Sequence, residues 1–188
     1  TSAANAEVKR LRSLHERKYR RQTGWFLAEG TRTCTAAVEL GWRLHRLAFL
    51  DGRGGDRMVR PLLAALDRDG GRALPMTESL LSRISGKDNP QMVLGAFEQR
   101  WQDPGRITPD AGRCWIALDR VRDPGNLGTI MRTADATCAR GIILIGDCTD
   151  PYSVEAVRAS MGALFNVELA RMPEDDFLDL AAGWPGHI

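Results

Sequence analysis

Two hydrophobic rhythms alternate along the chain: apolar steps of three and four that suit one face of a helix, and short apolar runs that suit strands. Residues 7–21 carry Val8, Leu11 and Leu14 on one side and predict a single helix. Residues 24–30, Gly-Trp-Phe-Leu-Ala-Glu-Gly, predict a short strand running into a turn, followed by a helix over 31–40 that buries Ala36, Ala37 and Leu40. A strand is predicted at 44–50 and a loop at 51–56, where Asp-Gly-Arg-Gly-Gly-Asp has nothing to bury. The helix at 58–67 sets Val59, Leu62, Leu63 and Leu66 on one stripe and tolerates Pro61 in its first turn. A strand at 72–75, a helix at 77–84 capped by Thr77 and a strand at 92–97 complete a small alternating α/β domain.

Residues 101–112 are rich in Pro and Gly and read as an interdomain linker, giving domains at 1–100 and 113–188. The second domain repeats the alternation: strand 114–118, helix from Leu127, strand 141–145, helix near 153–161, strand 166–169 and helix near 174–182. Residues 184–188 predict the start of another strand. Near-continuous apolar runs in its first two strands suit a buried parallel sheet with helices on both faces.

Apolar residues make up 43% of the 188, which makes the chain globular. A net charge of +2 is too small to announce a nucleic-acid partner, but its distribution is more telling. Lys9, Arg10, Arg12, Arg17, Lys18, Arg20 and Arg21 crowd the first helix against only Glu7 and Glu16. Helix faces that are merely solvated usually mix signs, whereas an unbalanced basic stripe attracts phosphates and releases their counterions. No apolar run approaches the ~20 residues that cross a membrane, and the first residues lack the apolar core of a signal peptide, so a cytoplasmic protein is expected. Cys34, Cys114, Cys138 and Cys148 are scattered, as are His15, His45 and His187, so neither metal nor hydrolase chemistry is expected.

The densest chemistry lies at 118–135. Asp123-Pro124-Gly125-Asn126 is turn chemistry, and Leu127, Ile130, Met131 and Ala134 then form a buried helical face with Arg132 off the stripe. The plain use of Asn126 is a helix N-cap, and the plain use of Arg132 is an ion pair with Asp135 or Asp119. A third option, a phosphate-cradling nucleotide turn, lacks the Gly-Lys-Ser/Thr of a P-loop.

Asp-Pro-Gly-Asn-Leu-Gly-Thr-Ile-Met-Arg-Thr-Ala-Asp at 123–135, followed by Gly-Ile-Ile-Leu-Ile at 141–145 and Arg-Ala-Ser-Met-Gly-Ala-Leu-Phe at 158–165, resembles the first signature block of the SpoU (TrmH-type) RNA ribose methyltransferases of the SPOUT superfamily. The preceding half resembles that family's substrate-binding domain. The resemblance implies an α/β fold, with a small RNA-recognition domain before a parallel-sheet SPOUT domain. It also implies S-adenosylmethionine as cofactor, ribosomal or transfer RNA as substrate, and a homodimer. Asn126 and Arg132 become the catalytic candidates, and Lys18, Arg20, Arg21, Arg32 and Gln91 the RNA-binding ones. Arg158, Ser160 and Gly162 read as structural, with Arg158 near RNA, and Gly146-Asp147 as a wall of the donor pocket.

Two departures matter. Met92 stands where the family often has the Gly of Pro-Gln-Gly. The family's Asn-Glu-x-x-Gly and Pro-Met-x-Gly-x-x-x-Ser-Leu-Asn-Val-Ser blocks, whose trefoil knot encloses the methyl donor, are not among these residues, so the cofactor site is expected beyond Ile188. The competing expectation is a non-catalytic RNA-binding protein that retains a methyltransferase-like core.

Overall fold

The computed structural model describes residues 6–108 and 113–185. They form two compact units, one built from residues up to Gln99 with Tyr152–Arg158, the other from Arg100–Pro151 with the residues from Ala159 onward. Among the described residues no helix is long and apolar enough to cross a membrane.

The first unit contains α1 (Ala6–Ser13), α2 (Arg17–Thr23), β1 (Trp25–Glu29), α3 (Thr31–Glu39), β2 (Leu44–Leu50), α4 (Arg60–Arg68), β3 (Arg72–Met76), α5 (Glu78–Ser85) and β4 (Val93–Glu98). Its sheet runs β1-β4-β2-β3, with β4 antiparallel to both neighbours and β2 parallel to β3. Val8, Leu11 and Leu14 meet Leu80, Leu81 and Ile84 of α5 over Leu27, Ala48, Leu94 and Ala96 of the sheet. Burial of these side chains is the main term that holds the helical layer in place.

The single helix expected at 7–21 is two helices. Leu14 is the last residue of the apolar stripe and is fully buried, and the chain turns after it. The turn exposes carbonyls that a continuous helix would have used. Arg20, only 3% exposed, donates Nη1 to the carbonyls of Leu14 and His15, both at 2.8 Å. A buried guanidinium that satisfies two orphaned acceptors is a structural group.

The second unit contains β5 (Trp115–Asp119), α6 (Pro124–Ala136), β6 (Gly141–Ile145), the end of α7 (Val154–Ser160), β7 (Glu168–Met172) and α8 (Glu174–Ala182). Its three strands are parallel in the order β5-β6-β7. All of β6 is buried, whereas β5 is half-buried to exposed along its length. The last strand begins later than expected because Ala163–Phe165 first form a 3-10 turn.

The Pro- and Gly-rich stretch at 101–112 is not bare. Trp101 lies 3.7 Å beneath the Arg171 guanidinium, Gln102 donates its backbone N–H to Leu169, and Asp103 caps a short 3-10 turn. Ile107 is 5% exposed in a core with Ile143, Ile145, Ala170 and Met172. Composition hid that one apolar anchor. Trp184 packs against the same core. Residues 109–112 of the expected linker and 186–188 of the expected strand lie outside the described residues.

Candidate functional site

The corner between β5 and α6 is fixed by Asp123. Its carboxylate accepts the backbone N–H of Asn126 at 2.6 Å, and Pro124 fills the first helical position, where no amide proton is needed. Asp123 is therefore the N-cap and Asn126 the third residue of the helix. The plain reading of Asn126 as the cap does not hold, and its exposed side chain has no capping duty. An Asp followed by Pro is itself a helix-start signal in the sequence.

Leu127, Gly128, Met131 and Ala134 form the buried face of α6. Gly128 is required by contact, since a Cβ there would sit 2.3 Å from Ala159 Cβ and 2.8 Å from the backbone nitrogen of Ser160. Ser160 is 1% exposed, which suits a packing role for the 158–162 motif. On the outer side, Thr129, Thr133 and Thr137 each donate a hydroxyl to the carbonyl four residues earlier.

Arg132 is exposed on that outer side and makes no ion pair among the described residues. Its two expected partners are engaged elsewhere: Asp119 holds Arg120 at 2.7 Å, and Asp135 accepts from Asn166 at 3.4 Å. Six residues along a helix separate Asn126 and Arg132 by about 9 Å along the axis and about 120° around it. The pair can grip different groups of one ligand, not one atom.

Charged side chains crowd the C-terminal ends of the strands. Arg120, at φ +50°, bridges Asp119 and Glu174, and Arg122 pairs with Asp147. The hydrogen bond to Glu174, with Asp119 adding to it, holds the Arg120 pKa above its ordinary value. Gly146, at φ +64°, lies beside the Arg120 side chain.

In the first unit, Gln91 is exposed and lies against Gly30, whose φ of +91° opens α3 two residues before the exposed Arg32. Lys18 and Arg21 are exposed on α2 and, with Arg17 and Gln22, line a shallow depression. Arg20 does not join them, for the structural reason given above. Arg158, expected near RNA, is committed to Glu29: its Nε lies 3.0 Å from Oε2, while Nη2 reaches Oε1 and the Ser85 carbonyl. The Glu29 side chain is 5% exposed, and Lys87 completes the cluster at 3.3 Å. Nothing in the local pattern marked Glu29 as buried, since it ends a strand beside a glycine.

The sequence matches two family descriptions, the MRM3-like substrate binding domain over residues 5–95 and the SpoU rRNA Methylase family over residues 113–182. The AdoMet-bound rRNA methyltransferase from Sinorhizobium meliloti is 44% identical, with a TM-score of 0.91 over 97% of this chain and 67% of that one. The SpoU methyltransferase AviRb from Streptomyces viridochromogenes, solved with the cofactor AdoMet, is 31% identical, with a TM-score of 0.81 over 96% of this chain and 70% of that one. The 23S rRNA (uridine(2479)-2'-O)-methyltransferase of Streptomyces viridochromogenes is 33% identical over 161 residues, which are 85% of this chain and 55% of that protein. The chain spans 58% and 55% of the length of two of the curated relatives it matches. A substrate-binding module followed by the Asn126–Arg132 corner, on a fold shared with solved SpoU enzymes, places the chain in the SpoU rRNA methylase family.

Proposed function

We propose that the protein transfers a methyl group from S-adenosylmethionine to a ribose 2′-hydroxyl of structured ribosomal or transfer RNA, acting in the cytoplasm as a homodimer. In this reading residues 1–100 recognise the RNA through Lys18, Arg21, Arg32 and Gln91, and residues 113–188 belong to the methyltransferase domain. Ribosomal RNA is favoured over transfer RNA because the 23S rRNA enzyme is among the relatives.

The observation that carries the reading is Arg132, an exposed arginine with no ion pair among the described residues, two turns into a helix whose start is fixed by Asp123. An arginine is a poor base because its guanidinium stays charged at neutral pH. Its planar fork suits a phosphate, and its charge stabilises the alkoxide that develops as the hydroxyl loses its proton, which can pass to a phosphate oxygen. Asn126, a neutral donor and acceptor, orients the ribose. Methyl transfer needs an in-line approach, so this positioning supplies much of the rate.

The methyl donor does not find a complete site among the described side chains. At the strand ends, where ligands of such folds bind, the carboxylates of Asp119, Asp147 and Glu174 are each held by an arginine. A bound nucleoside would have to displace these exposed pairs or share their carboxylates. The reaction is tested by incubating the full-length protein with S-adenosylmethionine and ribosomal RNA and mapping ribose methylation by mass spectrometry. A single new 2′-O-methyl nucleotide is expected. RNA that binds without gaining a methyl group would favour the non-catalytic reading.

A further inference from the structure

We propose that the groove between α1, the turn at 14–16, α2 and the C-terminal end of α5 is a second RNA surface, a track for the sugar-phosphate backbone in which Lys9, Arg12 and Arg83 are the principal contacts. The inference rests on the RNA-modifying reading and adds a surface distinct from the Gly30–Arg32–Gln91 corner.

The apolar seam of Val8, Leu11 and Leu14 against Leu80, Leu81 and Ile84 brings the polar flanks of α1 and α5 side by side. Between them opens a cavity of about 1080 Å³. Among the described residues Lys9, Arg10, Arg12 and Arg83 line it, against a single carboxylate, Glu16. Lys9, Arg12 and Arg83 are exposed and make no ion pair among the described residues. Arg10 lies 3.6 Å from Glu7, but that carboxylate also holds Arg46 at 2.8 Å and Arg72 at 3.6 Å, so one negative charge is shared by three guanidiniums. The groove therefore carries an uncompensated positive field.

The occupant follows from the lining. A protein partner would need a buried apolar anchor at the centre of the surface. Here Ile84 is fully buried beneath the groove and, among the described residues, Tyr19 is the one Phe, Tyr or Trp side chain on its wall. A single small anion would need donors converging on one point. These cations instead come from two helices that are far apart in sequence and spread around a large open volume, which suits a polymer of phosphates. His15 adds a fixed edge: its Nε2 lies 2.6 Å from the Ile84 carbonyl, an acceptor only, so Nε2 carries the proton and Nδ1 is the ring's other polar atom. Gln22 lines both this groove and the depression formed by Arg17, Lys18 and Arg21, so the two basic surfaces are continuous.

The test uses the full-length protein and a ribosomal RNA transcript that it methylates, with binding measured across a salt series. In the Lys9→Ser/Arg12→Ser/Arg83→Ser variant, the slope of log affinity against log salt should fall by about 2 to 3, and affinity at low salt should drop at least roughly tenfold. Arg83→Gln alone, on the other helix, should remove about one third of the slope change. Turnover at saturating RNA should stay at the wild-type value, with the loss confined to KM. An unchanged slope in both variants, each with a wild-type circular dichroism spectrum, overturns the track. If the wild-type protein neither binds nor methylates RNA, the functional reading itself fails, and the two failures are told apart by that control.

Discussion

The middle strands of the two sheets are buried alike, but the charges around them are handled in opposite ways. In the first unit the two carboxylates that gather several cations are withdrawn from water: the side chain of Glu29 is 5% exposed against Arg158, and that of Glu7 is 11% exposed against Arg46. In the second unit the pairs at the strand ends are open, with Arg122 and Asp147 at 67% and 63% exposure. Exposed pairs contribute roughly 0–1 kcal/mol and exchange readily for another partner, whereas breaking a buried pair costs roughly 3–5 kcal/mol through the charge left behind. The first unit is thus a fixed platform, whose exposed cations are the ones left for binding. The second keeps its polar groups interchangeable around the corner where chemistry is proposed.

The largest effect expected is on turnover. Arg132→Ala in the full-length enzyme should lower methyl transfer by about 10²–10³-fold, as when one transition-state donor is removed, while stability stays within about 0.5 kcal/mol. Arg132→Lys should not rescue it, because an ammonium lacks the fork. Near-normal turnover of either variant in a steady-state assay would remove Arg132 from the mechanism.

The contrast between charges is tested next, by urea unfolding. Glu29→Ala should destabilise by about 3 kcal/mol, since it strands Arg158 and Lys87, and Arg122→Gln by less than about 1 kcal/mol. Equal costs would erase the distinction between platform and corner. Gly128→Ala sets propensity against packing. An alanine inside a helix ordinarily gains about 1 kcal/mol over glycine, but the Cβ would meet Ala159 and Ser160 backbone, so a net loss of about 1–3 kcal/mol is expected. Gly55→Ala, with nothing within 4 Å, should stay within about 0.5 kcal/mol.

The smallest effect is a pH dependence confined to the first unit. His45 stacks on Trp25 at 4.4 Å, and burial holds its pKa below the ordinary value, with Arg43 and Arg46 adding to the shift and Glu98, 3.4 Å away, opposing it. As pH falls, the unfolded chain takes up that proton first. The stability is therefore full above about pH 6.5 and is lost as pH drops through the folded pKa. Thermal unfolding at a series of pH values should show a decline below neutrality that His45→Phe, which keeps a ring against Trp25, flattens. Glu7 adds a second decline in more acid solution, because its hydrogen bond from Arg46 lowers its pKa despite burial. A His45→Phe curve that still falls between pH 7 and 5 would place the titration elsewhere.

Strands such as Leu44–Leu50 and Gly141–Ile145 were legible in sequence to the residue, because their apolar runs are bounded by turn residues. What escaped was decided by tertiary contact. Arg20 and Arg21 are chemically identical neighbours, and only the turn at 14–16 commits the first to two carbonyls while leaving the second in solvent. Asp123 and Asn126 are both good caps three residues apart, and Pro124 decides between them. Of the candidate site, Arg132 was legible through the motif, whereas the Glu29–Arg158 pair joins residues 129 apart and leaves no local trace.

The threonine ladder on α6 has a consequence for the water around Arg132. Thr129, three residues before it on the helix surface, and Thr133 and Thr137 farther along the same threonine stripe turn their hydroxyls back onto helix carbonyls. A stripe that counts as polar by composition therefore offers water hydroxyl lone pairs but no free hydroxyl proton. The guanidinium of Arg132 is already weakly hydrated, and beside such a surface it has less water to shed before it closes on a phosphate.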